Sequence, residues 1–84
     1  MNIDTEALLA PLEQAIDEHP RLTRHRSREP WLRIDRHGCS VCIMVKLRGS
    51  RKIRYDEIYG IGDTPEEAVS KLIGGLDFWA EALK

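Results

Sequence analysis

The chain of 84 residues is predicted to be one α+β domain, in which a three-stranded antiparallel sheet carries two helices on one face. Two segments, at 4–18 and 65–83, have apolar residues at helical spacing. Between them lie three shorter segments with strand-like alternation, separated by turn residues. Short turns can join only antiparallel neighbours. The predicted order is therefore helix, three strands, helix (αβββα), with both helices covering the inward face of the sheet.

The first helix is predicted over about 4–18. Asp4 or Thr5 caps its start, and His19-Pro20 ends it. Pro11 removes one helical hydrogen bond, so either the helix kinks there or its regular part begins at this proline. The apolar stripe of the helix consists of Leu8, Leu9, Leu12, Ala15 and Ile16.

Residues 20–30 contain almost no apolar side chain except Leu22 and are interpreted as a solvated basic linker. The first strand is predicted at 31–36, with Leu32 and Ile34 on one face. A turn at His37-Gly38 follows. The next strand, at 39–48, has the clearest alternation in the chain. Its inward residues are Cys39, Val41, Ile43, Val45 and Leu47.

Gly49-Ser50 is predicted to form a two-residue hairpin turn. The third strand is placed at 52–59, with Ile53 and Tyr55 inward. Gly60 and Gly62 after it are predicted to weaken the end of the strand. This phase, meaning the choice of which alternate residues face inward, leaves an open face on the other side of the sheet. Its predicted members are Trp31, Arg33, Met44, Lys46, Arg48, Lys52 and Arg54.

The last helix is predicted over about 65–83 and has the best-defined start in the chain. Thr64 is a capping residue, Pro65 suits the first helical position, and Glu67 completes a capping box. Gly74-Gly75 disfavours a regular helix and indicates a bend or the close approach of another backbone. The buried stripe comprises Val69, Leu72, Ile73, Leu76, Ala80 and Leu83, with Phe78 nearly opposite it.

Charge is sorted along the chain although the total is near neutral. Positions 21–54 hold 11 of the 13 Lys and Arg but two of the 14 acids, a net charge of 11 − 2 = +9, and the flanks carry 2 − 12 = −10. If these segments fold together, the middle forms a basic face and the ends an acidic one. Such a surface suits an anionic partner better than a small neutral substrate.

Composition also limits the classes of protein to which the chain is expected to belong. The two cysteines favour reduced thiols in a cytoplasm. No stretch approaches the roughly 20 apolar residues of a membrane span, and the acidic start does not resemble a secretory leader. No spacing typical of catalysis stands out, so a non-enzymatic protein without a cofactor is expected.

The pair Cys39 and Cys42 has the spacing of a zinc knuckle. In a strand, however, residues three apart point to opposite faces and lie roughly 10 Å apart along the chain. Neither chelation nor a disulfide fits that geometry. We therefore predict no metal site, and Cys39 is interpreted as core.

The segment Gly60-Ile61-Gly62-Asp63-Thr64-Pro65-Glu66-Glu67-Ala68 resembles the strand-to-helix junction of double-stranded-RNA-binding domains, whose element order also matches. The resemblance implies the architecture. It does not imply that family's way of binding, because Pro65 and Glu66 stand where the family has phosphate-binding lysines. The carboxylates of Glu66 and Glu67 would repel a phosphate there. The same segment is similar to the junction in HicB-type antitoxins of plasmids and phages, although the Pro-Asp-Leu-Pro-Gly-like segment usual in those proteins is missing.

Two functions fit the basic sheet face. The first is a protein-interaction module, in the style of a small phage or mobile-element accessory protein that masks a site on a larger protein or nucleoprotein; inhibitors such as anti-CRISPR proteins belong to this class. Exposed Trp, Met and Arg together are typical of interface hot spots. The alternative is an RNA- or DNA-binding domain that uses the same face. The predicted binding residues are Arg24, Arg26, Arg28, Trp31, Arg33, Met44, Lys46, Arg48, Lys52 and Arg54.

Other interpretations of these residues stay open. The charged strand face has a simpler explanation as a solvated surface that protects the sheet from edge pairing. The open face and Gly74-Gly75 also suit self-association, so the chain is expected to be a monomer or a homodimer.

Overall fold

The structure, a computed structural model, describes residues 5–84, with side chains from residue 6 onward. Within this range it has a mixed α+β architecture with an antiparallel sheet, as predicted. The predicted numbers of strands and helices are both too low, since four strands and three helices are present. In chain order they are α1 (Thr5–Glu18), β1 (Leu22–Arg24), β2 (Trp31–Asp35), β3 (Gly38–Leu47), β4 (Asp56–Gly62), α2 (Pro65–Gly74) and α3 (Leu76–Ala82).

The long strand β3 lies at the centre of the sheet and all its partners run antiparallel to it. β4 pairs along one edge of β3. The other edge is shared, because β2 pairs with its first half and β1 with its second half. The edge strand is thus divided into two pieces by residues 25–30. The predicted basic linker was wrong here, since it contains β1, whose Leu22 is fully buried and pairs with Leu47.

The phase predicted for the third strand is wrong by one residue. β4 begins at Asp56, and its buried positions are Ile58, Gly60 and Gly62. Ile53, predicted to be inward, is 95% exposed in the loop before the strand. A shift of one residue moves every side chain of a strand to the opposite face. The tight hairpin at Gly49-Ser50 is replaced by a loop over residues 48–55.

The glycines of β4 explain why this phase is adopted. A Cβ atom at Gly60 would lie 2.5 Å from the carbonyl oxygen of Ala68, and one at Gly62 would lie 2.7 Å from the backbone nitrogen of the same residue. Helix α2 therefore packs directly on the backbone of β4. Any larger side chain at these two positions would hold the helix away from the sheet.

Helix α1 continues through Pro11 without a break, and Pro11 lies on its exposed side. The predicted cap Asp4 lies outside the described residues. The predicted apolar stripe is confirmed, since Leu9, Leu12 and Ile16 are buried and the remaining two residues pack against the core.

Helix α2 begins as predicted. The Oγ1 atom of Thr64 accepts a hydrogen bond from the backbone nitrogen of Glu67 at 3.1 Å, and the carboxylate of Glu67 accepts from the backbone nitrogen of Asp63 at 3.3 Å. The helix ends at Gly74 and a new helix, α3, starts at Leu76. Of the two predicted roles for Gly74-Gly75, the bend is the one observed. No other element approaches within 4 Å of a Cβ built at Gly74, and the backbone atoms closest to one at Gly75 are carbonyl oxygens of the preceding turn, Lys71 at 3.3 Å and Leu72 at 3.7 Å.

The core lies between the helices and one face of the sheet. The inward residues of β3 are buried with the stripes of α1 and α2 in a single cluster. In β2, Leu32 packs against this cluster, but Ile34 on the same face is exposed, because it lies near the end of the sheet opposite Cys39. The helices cover the inward face alone. The other face, which we call the outer face, has no layer of described residues over it.

Candidate interaction face

The pairing of the strands determines which side chains share the outer face. Residues directly opposite each other in an antiparallel pair lie on the same face. The even-numbered residues of β3 point outward, and their partners in β2 and β4 join them. The outer face therefore includes Trp31, Arg33, Asp35, Ser40, Cys42, Met44, Lys46, Glu57, Tyr59 and Ile61, and Thr23 of β1 lies beside Lys46.

An apolar row crosses the middle of this face. Cys42 of β3 pairs with Trp31 of β2 on one side and with Tyr59 of β4 on the other. The two aromatic residues are 40% and 48% exposed, whereas the cysteine between them is only 9% exposed. Ile61, one row further along β4, is also exposed. These residues form a shallow apolar centre on an uncovered sheet.

The thiol of Cys42 is held in its neutral form. Burial raises its pKa, the adjacent carboxylate of Glu57 raises it further, and the charge of Arg33 acts weakly in the opposite direction. A protonated thiol is a poor nucleophile and behaves as a small apolar group. Cys42 therefore contributes packing surface to the row.

The ring of Tyr59 is held at the edge of the sheet by an aromatic side chain of α3. The ring of Tyr59 lies 5.2 Å from the ring of Trp79 in α3, in an edge-to-face arrangement, and Phe78 lies 5.7 Å from Trp79. Such pairs stabilise by about 0.5–1.5 kcal/mol beyond their buried area. Tyr59 is thus fixed in orientation while much of its ring stays accessible.

Charged side chains border the apolar row. Arg33 lies next to it and makes only a distant ion pair with Asp35, at 4.0 Å. Lys46 places its Nζ atom 4.9 Å from the centre of the Tyr55 ring and donates to the carbonyl of Lys52 at 3.4 Å. The outer face therefore combines an apolar centre with a polar rim, which is the usual arrangement in protein interfaces.

Two of the predicted binding residues lie elsewhere. Arg24 faces α1, where it pairs with Glu13 at 2.9 Å and Asp17 at 3.0 Å. Arg48 was placed on the open face, and this placement is wrong: its guanidinium donates to main-chain carbonyls at the end of α1. Arg24 pairs with the buried residue Val45 and therefore lies on the inward face. Arg48 comes one residue after the end of β3, where alternation no longer determines the direction of its side chain.

The other predicted basic residues lie on loops. Arg26 is exposed and lies 3.6 Å from Asp17. Arg28 follows in the loop between β1 and β2, and Lys52 and Arg54 belong to the loop before β4. Of the ten predicted residues, the outer face brings together Trp31, Arg33, Met44 and Lys46.

Tyr59, Ile61 and Glu57 belong to the outer face but were missing from the predicted set. The wrong phase of the third strand placed Glu57 and Tyr59 inward, and Ile61 lay beyond the predicted end of the strand at residue 59. Gly60 and Gly62 were the signal that could have corrected it, because two glycines at strand spacing just before a helix indicate close contact between strand and helix.

Cys39 and Cys42 lie on opposite faces of β3, as the alternation predicts. Cys39 is part of the core, and its sulfur lies 3.8 Å from the carbonyl oxygen of Asp63. Within residues 5–84 no three His, Cys, Asp or Glu side chains converge as a metal site would require.

Comparison of the chain with protein-family models, curated proteins and solved structures finds no significant match. In the part of the chain that the structure describes, no helix combines the length and the apolar character needed to cross a bilayer.

Proposed function

We propose that this chain is a small non-enzymatic binding protein that recognises a larger protein partner through its outer face. The observation that carries the proposal is the row of Trp31, Cys42 and Tyr59, which exposes two aromatic rings on a sheet face that no described element covers. Tryptophan and tyrosine are enriched at the centres of interfaces, where they bury much area with little loss of side-chain entropy.

The rim supports the same function. Along β3, Arg33 lies on one side of the apolar row, and Glu57 and Lys46 lie on the other, so the rim carries both signs of charge. A mixed rim favours a protein partner with complementary charges over a uniformly anionic ligand. In this proposal the protein acts by masking a site on its partner. The small size of the chain fits an accessory or inhibitor protein of a phage or mobile element, such as an anti-CRISPR-like protein.

Affinity capture with matched variants tests this proposal. The tagged wild type, Trp31→Ala, Tyr59→Ala and Phe78→Ala are incubated with nuclease-treated lysate of the source organism, and the retained proteins are identified by mass spectrometry. Phe78 is the control because it is an aromatic residue with greater exposure, 69%, but belongs to α3. Circular dichroism confirms that each variant is folded.

A partner retained by the wild type and by Phe78→Ala, but lost with Trp31→Ala and Tyr59→Ala, is the expected result. Hot-spot aromatics typically contribute 2 kcal/mol or more, about 30-fold in affinity, so the loss should be clear. Equal retention by all four proteins would contradict the proposal.

A further inference from the structure

Two groups of basic residues in this chain have different surroundings. Arg21 pairs with Glu81 of α3 at 2.6 Å, and Arg24 and Arg48 bind α1. These three hold the helices to the sheet. A second group forms no ion pair or side-chain hydrogen bond within residues 5–84, and we call it the basic loop cluster. Its members are Arg28, Arg51, Lys52 and Arg54.

The two loops that carry this cluster meet at one end of the sheet. The backbone nitrogen of His25 donates to the carbonyl of Met44 at 3.0 Å, and the His25 ring lies 4.6 Å from the ring of Tyr55. Tyr55 in turn contacts Lys46. These contacts join the loop of residues 25–30 to the loop of residues 48–55.

The basic loop cluster borders two neighbouring depressions. Arg28 and Arg54 line one of about 520 Å³, together with Tyr55 and Met44. Arg54 also lines a second depression, of about 780 Å³, with Arg51 and Lys52. The four cations are therefore spread along a concave surface and are not gathered around a single point.

Nearby acids only partly offset these charges. Asp56 lines both depressions and Glu57 lines the first. Glu29, the acid closest in sequence to Arg28, lines a different depression, with Glu6 and Glu13 of α1. Counting Lys46, five cations face two carboxylates, so this end of the sheet has a local charge of 5 − 2 = +3.

We infer that the basic loop cluster is a second binding site, which takes the phosphates of a nucleic-acid backbone. Three of its four cations are arginines, whose planar guanidinium groups bind phosphate oxygens in pairs. Several separated cations suit a ligand with several regularly spaced negative charges, whereas one carboxylate would neutralise only one of them. The site adjoins the outer face and shares Met44, Lys46 and Glu57 with it. Its four loop cations and the aromatic row of Trp31 and Tyr59 are separate residues, so the two proposals can be tested with different variants.

Fluorescence anisotropy with labelled single-stranded RNA, single-stranded DNA and duplex DNA tests the inference. For the wild type we expect a dissociation constant of about 1–100 μM at physiological salt and tighter binding at low salt, as for other non-specific complexes. The double variant Arg28→Ala/Arg54→Ala should bind at least about tenfold more weakly. If each arginine contacts one phosphate of a single strand, the slope of log K against log salt should fall by about 1.4.

Two further variants show whether the effect belongs to this site. Arg36→Ala removes an equally exposed and unpaired arginine from the turn between β2 and β3, at the opposite end of β3, and should bind like the wild type. Asp56→Asn removes a carboxylate from both depressions and should bind a few-fold more tightly.

The inference would be overturned by any of three results. These are no binding at low salt, an equal loss in Arg36→Ala, or equal competition by polyglutamate at matched charge. Trp31→Ala should keep nucleic-acid binding while it loses the protein partner. Each of the two proposals can therefore fail without the other.

Discussion

The guanidinium of Arg48 donates a hydrogen bond to the main-chain carbonyl of Asp17 at 2.6 Å, which joins the end of β3 to the last turn of α1. It also donates to the carbonyls of His19 at 2.8 Å and Ile16 at 3.4 Å. The last carbonyls of a helix have no donor within the helix, and a cation there also interacts favourably with the helix dipole. Arg48 thus stabilises the fold by joining β3 to α1.

Replacement of Arg48 by alanine should lower the free energy of unfolding by about 1–2 kcal/mol, a modest value because the side chain is exposed and water replaces part of each lost hydrogen bond. Urea denaturation followed by circular dichroism measures the change. Arg51→Ala is the control, because Arg51 forms no ion pair in residues 5–84, and it should change stability by less than about 0.5 kcal/mol. Equal effects of the two substitutions would show that Arg48 does not hold α1.

The contact between β4 and α2 predicts that Gly60→Ala is strongly destabilising. The added Cβ would lie 2.5 Å from the Ala68 carbonyl oxygen and 2.7 Å from the Cβ of Leu72. Since backbone must move to relieve this overlap, we expect a loss of about 2–3 kcal/mol in thermal or urea unfolding. Gly74→Ala, where the space is open, should be neutral or stabilise by up to about 1 kcal/mol. A neutral Gly60→Ala would disprove the close approach.

The phase of β4 can be tested with a pair of isoleucines. Ile58 is fully buried, so Ile58→Ala should cost about 2–5 kcal/mol, from lost burial and the cavity left behind. Ile53 is 95% exposed, and Ile53→Ala should change stability by less than about 0.5 kcal/mol. If the predicted phase were correct, Ile53→Ala would be the more destabilising of the two substitutions. Chemical denaturation of the two variants therefore distinguishes the two phases.

Thiol chemistry tests the surroundings of Cys42. In a Cys39→Ala background, the rate of alkylation by iodoacetamide against pH should show a midpoint above that of a free cysteine, because burial and Glu57 raise the pKa of the Cys42 thiol. Glu57→Gln removes a negative charge and should move the midpoint downward and speed the reaction at neutral pH. Glu66→Gln, on α2, should leave the profile unchanged.

Two glutamates link stability to acid pH. Hydrogen bonds from Lys71 and the Asp63 backbone lower the pKa of Glu67, and hydrogen bonds from Arg21 and Lys84 lower the pKa of Glu81. A lowered pKa in the folded state contributes stability above the unfolded pKa, and this contribution is lost as the pH falls through the folded value.

The Glu67→Gln/Glu81→Gln variant should therefore lose less stability than the wild type between neutral and acid pH, in urea titrations at several pH values. The difference should be small because both carboxylates are accessible to solvent, which screens their interactions. Glu66→Gln, at an exposed position without an ion pair among the described residues, should follow the wild-type curve. An identical slope for the double variant and the wild type would contradict this prediction.

Several elements were predictable because the signal lies within a few neighbouring residues. Thr64, Pro65 and Glu67 form the start of α2 by local hydrogen bonds, and the alternation over β3 alone identifies its buried face. The stripe of α1 is likewise visible in its own spacing. Of these three observations, the alternation of β3 also places candidate site residues, since its outward positions include Met44 and Lys46.

Within residues 21–62, the local pattern did not predict the structure correctly where burial or strand phase depended on distant parts of the chain. Leu22 looks like a lone apolar residue in a basic linker, and it becomes core only because it pairs with Leu47. Ile53 and Tyr55 alternate as a strand would, but α2 needs the space that Gly60 and Gly62 leave, and this selects the opposite phase.

The amino-acid pattern alone determines where helices start, which face of β3 is buried and that positive charge is concentrated between residues 21 and 54, because these depend on spacing and composition. Which of those charges are free depends on the folded chain. Arg24 and Arg48 are taken up by α1, whereas Arg28 and Arg54 meet at the end of the sheet. The physical reason is that an ion pair forms between side chains that are close in space, and the fold alone brings acids and bases from distant segments together.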